Sequence, residues 1–341
     1  MKSRVSPFLF SILLTFGAAI LSLLIGSVSI PMNTLIKLAA EWLGIPATEA
    51  VSAVHRTILL DIRLPRTVLI ALTGASLAGS GAAYQGLFRN PLADPYLIGV
   101  ASGAGLGAVI AMSINFPDTT LGMFTIPMAA FLSGLLTIFL VYMLARVGKT
   151  VPITNLLLAG VSISSFCTAL TSFLMIQSQN ELRRAIIWLL GGATLSGWKP
   201  VFAMLPYTLI GLSSLYFLSY SLNVLQFGEE QASQLGLRVD RIKKLIILSS
   251  SLTAAAAVAF SGIIGFIGLI VPHMVRILWT ADYRKLIPLS ILLGSSLLLL
   301  TDILARVAIA PQEIPLGVIT ALVGAPFFLW VLRRSKQQAF W

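Results

Sequence analysis

The chain has 341 residues, 57% hydrophobic and only 10% charged, with 23 Lys and Arg against 12 Asp and Glu for a net charge of +11. Soluble domains carry about 25% charged residues, so a soluble globular protein is excluded. Continuous apolar runs, rather than short alternating ones, exclude a transmembrane β-barrel as well.

Ten stretches are long and apolar enough to cross a hydrocarbon core of about 30 Å as helices. They are approximately 7–30, 67–88, 96–115, 121–146, 153–176, 200–222, 244–261, 263–280, 286–308 and 315–333. The expected fold class is an all-α polytopic membrane protein, with residues 1–341 forming one transmembrane domain. The first run follows Lys2 and Arg4, as a signal peptide would. It is too long for a typical signal core, and Ser27-Val28-Ser29 is a poor cleavage site, so it is expected to remain as a span.

Before the second run stands Asp61-Ile62-Arg63-Leu64-Pro65-Arg66. The second, third and eighth runs are rich in small residues, including Gly74, Gly79, Gly81, Gly103, Gly107, Gly265 and Gly268. Such residues let membrane helices approach closely, and no strand precedes them as a dinucleotide site would require. Between the second and third runs lies Asn90-Pro91-Leu92-Ala93-Asp94-Pro95, where the prolines break the backbone and Asn90 or Asp94 can cap the third span. Gly148-Lys149-Thr150 ends like a phosphate-binding loop, but Met143 stands where that motif needs glycine. ATP hydrolysis by this chain is therefore not expected.

Ile186–Trp198 is too short to cross and contains Gly191-Gly192, which suits a short outer-face helix or a re-entrant piece. The polar insert 223–244 holds Glu229, Glu230, Arg238, Asp240, Arg241, Lys243 and Lys244. Two helices fit it: one from Gly228 to about Leu235, its glutamates in the first turn where the helix dipole favours them, ended by Gly236. The other begins near Asp240 as N-cap. Taken alone, the insert would be read as a solvated loop. The seventh and eighth runs meet at Ser261-Gly262 in a tight corner, and His273 is expected to be hydrogen-bonded rather than a ligand. Asp302 and Arg306 are spaced for a helical ion pair.

Orientation is set by the basic residues. With the amino terminus inside, Lys37, Arg56, Arg63, Arg66, Arg183, Arg184, Lys199 and Arg306 fall outside and the other 15 inside, so both termini and the insert are assigned to the cytoplasm. Outer arginines run against this bias, and their forks suit a carboxylate-bearing partner or lipid head groups. The single cysteine, Cys167, and the two histidines, His55 and His273, offer no disulfide and no metal cluster. An intramembrane enzyme lacks any nucleophile, base or metal set here. An ion-gradient-coupled secondary transporter would need several ionisable residues at membrane depth, and Asp302 is the main one apparent.

Eight stretches in order resemble the membrane permeases of type II ATP-binding-cassette importers, which carry iron–siderophores, haem and cobalamin. These are RLPR at 63–66, FRNPLADPYLIGVASGAGLGA at 88–108, LLLAGVSIS at 156–164, WLLGG at 188–192, GEEQASQLGL at 228–237, SGIIGFIGLIVPHMVR at 261–276, LLLTDILAR at 298–306 and EIPLGVITALVGAPFFLWVLRR at 313–334. The resemblance implies a ten-span permease in the cytoplasmic membrane of a prokaryote, importing an iron–siderophore by alternating access. Its implied partners are a second permease subunit (identical or a sister chain), two cytoplasmic ATPase subunits and an extracytoplasmic substrate-binding protein. No cofactor is expected on this chain, since ATP and Mg would be bound by the ATPase. By the same resemblance, Arg63, Arg66 and Arg306 meet the binding protein, and Glu229, Glu230, Gln234, Leu235, Gly236 and Arg238 dock into the ATPase. Ser162, Ser165 and Thr168 line the pathway, and Thr154 and Asn155 lie at its cytoplasmic gate.

Overall fold

The computed structural model describes residues 6–26, 28, 30–44, 51–114, 120–148, 150–177, 181–193 and 195–335. Lys2, Arg4, Ser27, Ser29, Lys149 and Lys336, which bear on the orientation and on the first run, lie outside the described residues. In chain order the α-helices are α1 Pro7–Leu24, α2 Met32–Trp42, α3 Ala53–Thr57, α4 Leu64–Phe88, α5 Val100–Met112, α6 Thr120–Ala145 and α7 Ile153–Gln177. They continue as α8 Leu182–Leu189, α9 Trp198–Leu225, α10 Glu229–Gln234, α11 Val239–Ser261, α12 Ile267–Leu278, α13 Tyr283–Val307 and α14 Leu316–Ser335. A π-helical turn, Ile58–Arg63, leads into α4, and a 3-10 turn, Pro95–Ile98, leads into α5.

Among the described residues, six helices are long and apolar enough to cross a membrane: α1, α6, α7, α9, α11 and α13. α5, α12 and α14 are shorter apolar helices, and α4 has 25 residues, rich in Gly, Ala and Ser and buried along nearly all its length. Each of the ten expected runs thus contains a helix, but three are cut short for identifiable reasons. The first ends at Leu24. The third loses its start to the turn at Pro95 and to Gly99, whose φ of 89° is left-handed. The eighth begins only at Ile267, because Gly262 (φ 66°) and Phe266 (φ 69°) hold 262–266 in an irregular corner.

α4 is the axis of the bundle and packs against α13, α11, α9 and α12. Its glycines make that possible. A Cβ on Gly74 would collide with the Gly294 carbonyl of α13, and one on Gly81 with the Gly268 carbonyl of α12. Backbone therefore meets backbone at both places, the close approach that small residues provide in lipid. Buried hydroxyls fasten the same surfaces: Thr73 to Ser261 at 2.7 Å, Ser76 to Thr208 at 3.1 Å and Tyr84 to Ser251 at 2.7 Å.

On the outer side a second knot forms where the Gly-Gly break was expected. Gly192 N–H donates to the Ser261 carbonyl at 2.8 Å, Leu316 N–H to Gly191 at 2.9 Å and Gly317 N–H to Leu190 at 2.9 Å. The helix in this region is α8, which begins before Ile186 and ends at Leu189, and the three bonds above tie Leu190–Gly192 beyond its end to α11 and α14. The stretch 31–63, read from sequence only as a connection, carries α2, α3 and the π turn around a small apolar cluster of Ile30, Leu38 and Leu59.

Replacing Gly81 by Val should force α4 off α12 and destabilise the bundle by at least about 1–3 kcal/mol, the usual cost of overpacking. Gly17→Ala, with nothing within 4 Å of the added carbon, should leave the thermal unfolding temperature of the detergent-solubilised protein within experimental error of wild type.

Candidate functional site

The chain presents three polar surfaces, one at each membrane face and one along a helix between them. At the cytoplasmic face, α10 forms between two glycines with positive φ, Gly228 at 111° and Gly236 at 85°. Gly236 N–H returns to Ser233 at 2.9 Å and Leu237 N–H to Ala232 at 3.0 Å, closing the helix end as glycine permits. The next helix starts at Val239 with Arg238 as its cap residue, so Asp240 is a first-turn acid and not the N-cap.

Ala232 is fully buried while Leu235 is 70% exposed and Phe227 68% exposed. Glu229, Glu230, Gln234, Gly236 and Arg238 are exposed too. The insert is nevertheless braced within itself and tied to the bundle. Lys243, which is buried, reaches both carboxylate oxygens of Glu229 at 2.9 and 3.0 Å. Gln226 donates to the Gly86 carbonyl at the end of α4 at 3.0 Å. Asn223 brackets the α12–α13 corner, donating to Asp282 at 2.6 Å and accepting from Tyr283 N–H at 2.9 Å. The Asn223 amide, with help from the Arg284 N–H, holds the Asp282 carboxyl below its ordinary range. That contribution is present above the ordinary carboxylate pKa and is lost as pH falls through the depressed one. The result is a projecting handle whose base is locked to α4 and α13.

Between the two faces, α7 is uncovered on a broad side. Thr154, Ser162, Ser165 and Thr168 are exposed and Asn155 is half-buried. Thr154, Ser165 and Thr168 fall on one stripe with Ser172, whereas Ser162 lies on the neighbouring stripe with Phe166 and Phe173, as the helical period dictates. Ser162 and Ser165 turn their hydroxyl protons back to Leu158 and Val161, each at 2.9 Å, which leaves their oxygens as acceptors. Beside this side lies an open cleft of about 650 Å³ between α7 and residues 94–97.

At the outer face the three arginines come together, but two of them are not surface groups. Arg63 and Arg306 are each only 6% exposed. Arg63 donates to the carbonyls of Leu23 at 2.6 Å, Leu24 at 2.9 Å and Val28. Arg306 donates to the Ile25 carbonyl at 2.9 Å and to Ser22 Oγ at 3.0 Å, and its Nε lies 3.0 Å from Asp302. Both cap the end of α1, whose last carbonyls lack helical partners. Arg66 keeps its side chain 20% exposed, donating to Asp302 at 2.8 Å and forming a two-pronged pair with Glu313 at 2.7 and 3.0 Å. Of the three, Arg66 keeps the most exposed side chain, while Arg63 and Arg306 are turned onto the end of α1. The Asp302–Arg306 ion pair stands as the spacing predicted.

His273 departs from expectation, since both ring nitrogens are shielded and find no hydrogen-bond partner among the described residues. Asp94 caps the 3-10 turn ahead of α5, accepting from Tyr96 N–H at 2.8 Å, whereas α5 itself starts from Gly99 without a side-chain cap. Glu313, the Lys243–Glu229 pair and the placing of Asp94 on the cleft were not drawn from sequence. Only the two prolines around Asp94 hinted at an unusual path.

Neutralising Asp302, which is fully buried, should leave two arginines without their shared partner. Asp302→Asn should cost about 3–5 kcal/mol, as breaking a buried ion pair does. Glu313→Gln, at a half-exposed position, should cost under about 1 kcal/mol. Thermal unfolding of the two variants in detergent checks the contrast.

The sequence profile of the FecCD transport family matches residues 13–334. A cobalamin import system permease protein of Halobacterium salinarum is 44% identical over 314 residues, covering 92% of this chain and 82% of that protein. A hemin transport system permease protein of Yersinia pestis is 41% identical over 288 residues, covering 82% and 84%. A solved metal-chelate type ABC transporter in an inward-facing conformation superposes with a TM-score of 0.80 at 31% identity, covering 96% of this chain and 98% of that one. These likenesses set aside the ion-gradient alternative, and they make the fold that of a type II importer permease, with ATP hydrolysis left to a separate subunit. The chain belongs to the FecCD transport family: it is a non-enzymatic, multi-pass permease subunit of an ABC importer in the cytoplasmic membrane.

Proposed function

We propose that this permease imports an iron–siderophore complex by alternating access, working as one half of a permease pair. The relatives named for cobalamin and hemin and the metal-chelate transporter all point to bulky chelates as cargo. Haem and cobalamin are the rival cargoes. The broad uncovered side of α7 is where the second permease subunit, identical or a sister chain, closes the path. Ser162, Ser165 and Thr168 face the cargo there, and Thr154 and Asn155 act at the cytoplasmic end.

The observation that carries the reading is the cytoplasmic handle. An exposed leucine and phenylalanine on a charged projection are costly in water unless a partner covers them, and the projection is locked at its base to the two central helices. A cytoplasmic ATPase dimer that binds ATP and Mg would seat on Glu229, Glu230, Gln234, Leu235, Gly236 and Arg238, and its closure would move α4 and α13 through Gln226 and Asn223. At the outer face a substrate-binding protein would engage Arg66, the arginine with an accessible fork, while Arg63 and Arg306 hold α1 in place behind it.

Trimming Glu230 and Leu235 to alanine should leave insertion intact and lower cargo-stimulated ATP hydrolysis by at least about tenfold, the loss expected when about 1.4 kcal/mol of coupling disappears. ATP hydrolysis and uptake of a ferric siderophore, cyanocobalamin and haemin, measured in proteoliposomes with the partner subunits, test both parts of the reading. Undiminished coupling would overturn the handle's role. Uptake of cyanocobalamin or haemin in place of the ferric siderophore would overturn the cargo.

A further inference from the structure

The fork of Arg66 is accessible, but it is not idle. A guanidinium has five N–H donors fixed in one plane. On one edge Nε and Nη2 donate to a single oxygen of Asp302 at 3.1 and 2.8 Å. On the other, Nη1 and Nη2 donate to the two carboxylate oxygens of Glu313 at 3.0 and 2.7 Å. Four of the five donors are thus spent within the chain, and the last, on Nη1, offers a single bond. An incoming carboxylate finds no two-pronged edge open on Arg66 unless one of the resident acids lets go.

The two acids differ in how readily they can do so. Asp302 is fully buried on α13 and also holds Arg306, whose Nε lies 3.0 Å away, so breaking its pairs would strand charge away from water. The side chain of Glu313 is 50% exposed, and water can take over its hydrogen bonds, as it does for exposed ion pairs in general. The corner that carries Glu313 does not depend on the pair either. Gln312 N–H donates to the Ile309 carbonyl at 3.2 Å and Ile314 N–H to the Ala305 carbonyl at 3.1 Å, which fixes the backbone on both sides of it.

We propose that Glu313 occupies the place on Arg66 that a carboxylate of a docking protein takes, so that an acidic partner surface binds by exchange for Glu313 while Asp302 keeps the guanidinium in position. The proposal rests on the reading of Arg66 as a contact of the substrate-binding protein. One arginine–carboxylate pair breaks as another forms, and Glu313 is left to water. The exchange also sets a threshold. A partner must bring a carboxylate to the Nη1–Nη2 edge in the plane of the fork, and a diffuse negative surface that cannot do this displaces nothing.

Binding of the cargo-loaded substrate-binding protein to the complete transporter in proteoliposomes tests the exchange. Glu313→Gln, which costs little stability at this half-exposed position, removes the resident competitor. It should tighten binding about fivefold, the equivalent of about 1 kcal/mol for an exposed ion pair. Asp61→Asn removes the same charge from an exposed position two residues before Arg63, and should change binding by less than about twofold, since salt screens exposed charges that are not in contact. Arg66→Lys keeps the charge and loses the fork, and should weaken binding about tenfold. If Glu313→Gln binds no more tightly than wild type, or no more tightly than Asp61→Asn, the exchange is overturned, and weakened binding by Arg66→Lys leaves the docking reading intact. Wild-type binding by Arg66→Lys would overturn both.

Discussion

Gly74 on Gly294 and Gly81 on Gly268 bring α4 into backbone contact with α13 and α12, and the rest of the protein depends on that closeness. In lipid no hydrophobic force draws helices together, so association rests on packing and on internal hydrogen bonds. The small residues supply the packing. The hydroxyl pairs between α4 and α9 or α11 supply the bonds. Because α4 is held on all sides, its two ends become fixed points: the cytoplasmic end anchors the insert through Gly86, and the outer end carries Arg63 and Arg66.

Charge is then placed where it can be satisfied. At the outer face three arginines and two carboxylates form one cluster, and most of its bonding capacity is spent within the chain, on the carbonyls at the end of α1 and on Asp302. At the cytoplasmic face Lys243 is buried against Glu229, so a residue that composition alone would place in solvent is a structural tie. Between these, buried hydroxyls pair within the bundle, and the exposed ones of α7 lie on its uncovered side and beside its cleft. Two charged ends and an uncovered, hydroxyl-bearing side of α7 are the surfaces on which the proposed path and coupling rest.

Much of this could be read from the residues. The apolar runs gave the spanning helices, Gly228 and Gly236 bounded the short helix of the insert, and the spacing of Asp302 and Arg306 gave their ion pair. What could not be read depends on contacts between distant segments. Arg63 looks like a surface cation until the α1 end at Leu23–Val28 is folded over it. Glu313 looks like a free loop acid until α4 brings Arg66 against it. The start of α11 was misplaced for a local reason, because Asp240 has the chemistry of an N-cap but Val239 already continues the helix.

The central claim is that the projection around Leu235 is the seat of an ATPase. A photo-crosslinking residue at position 235, in the full chain expressed with its ATPase in native membranes, tests it most directly, with position 132 on the exposed side of α6 as control. The account predicts an adduct with the ATPase from position 235 and none from position 132. No adduct from 235, in a transporter that still imports its cargo, would contradict it.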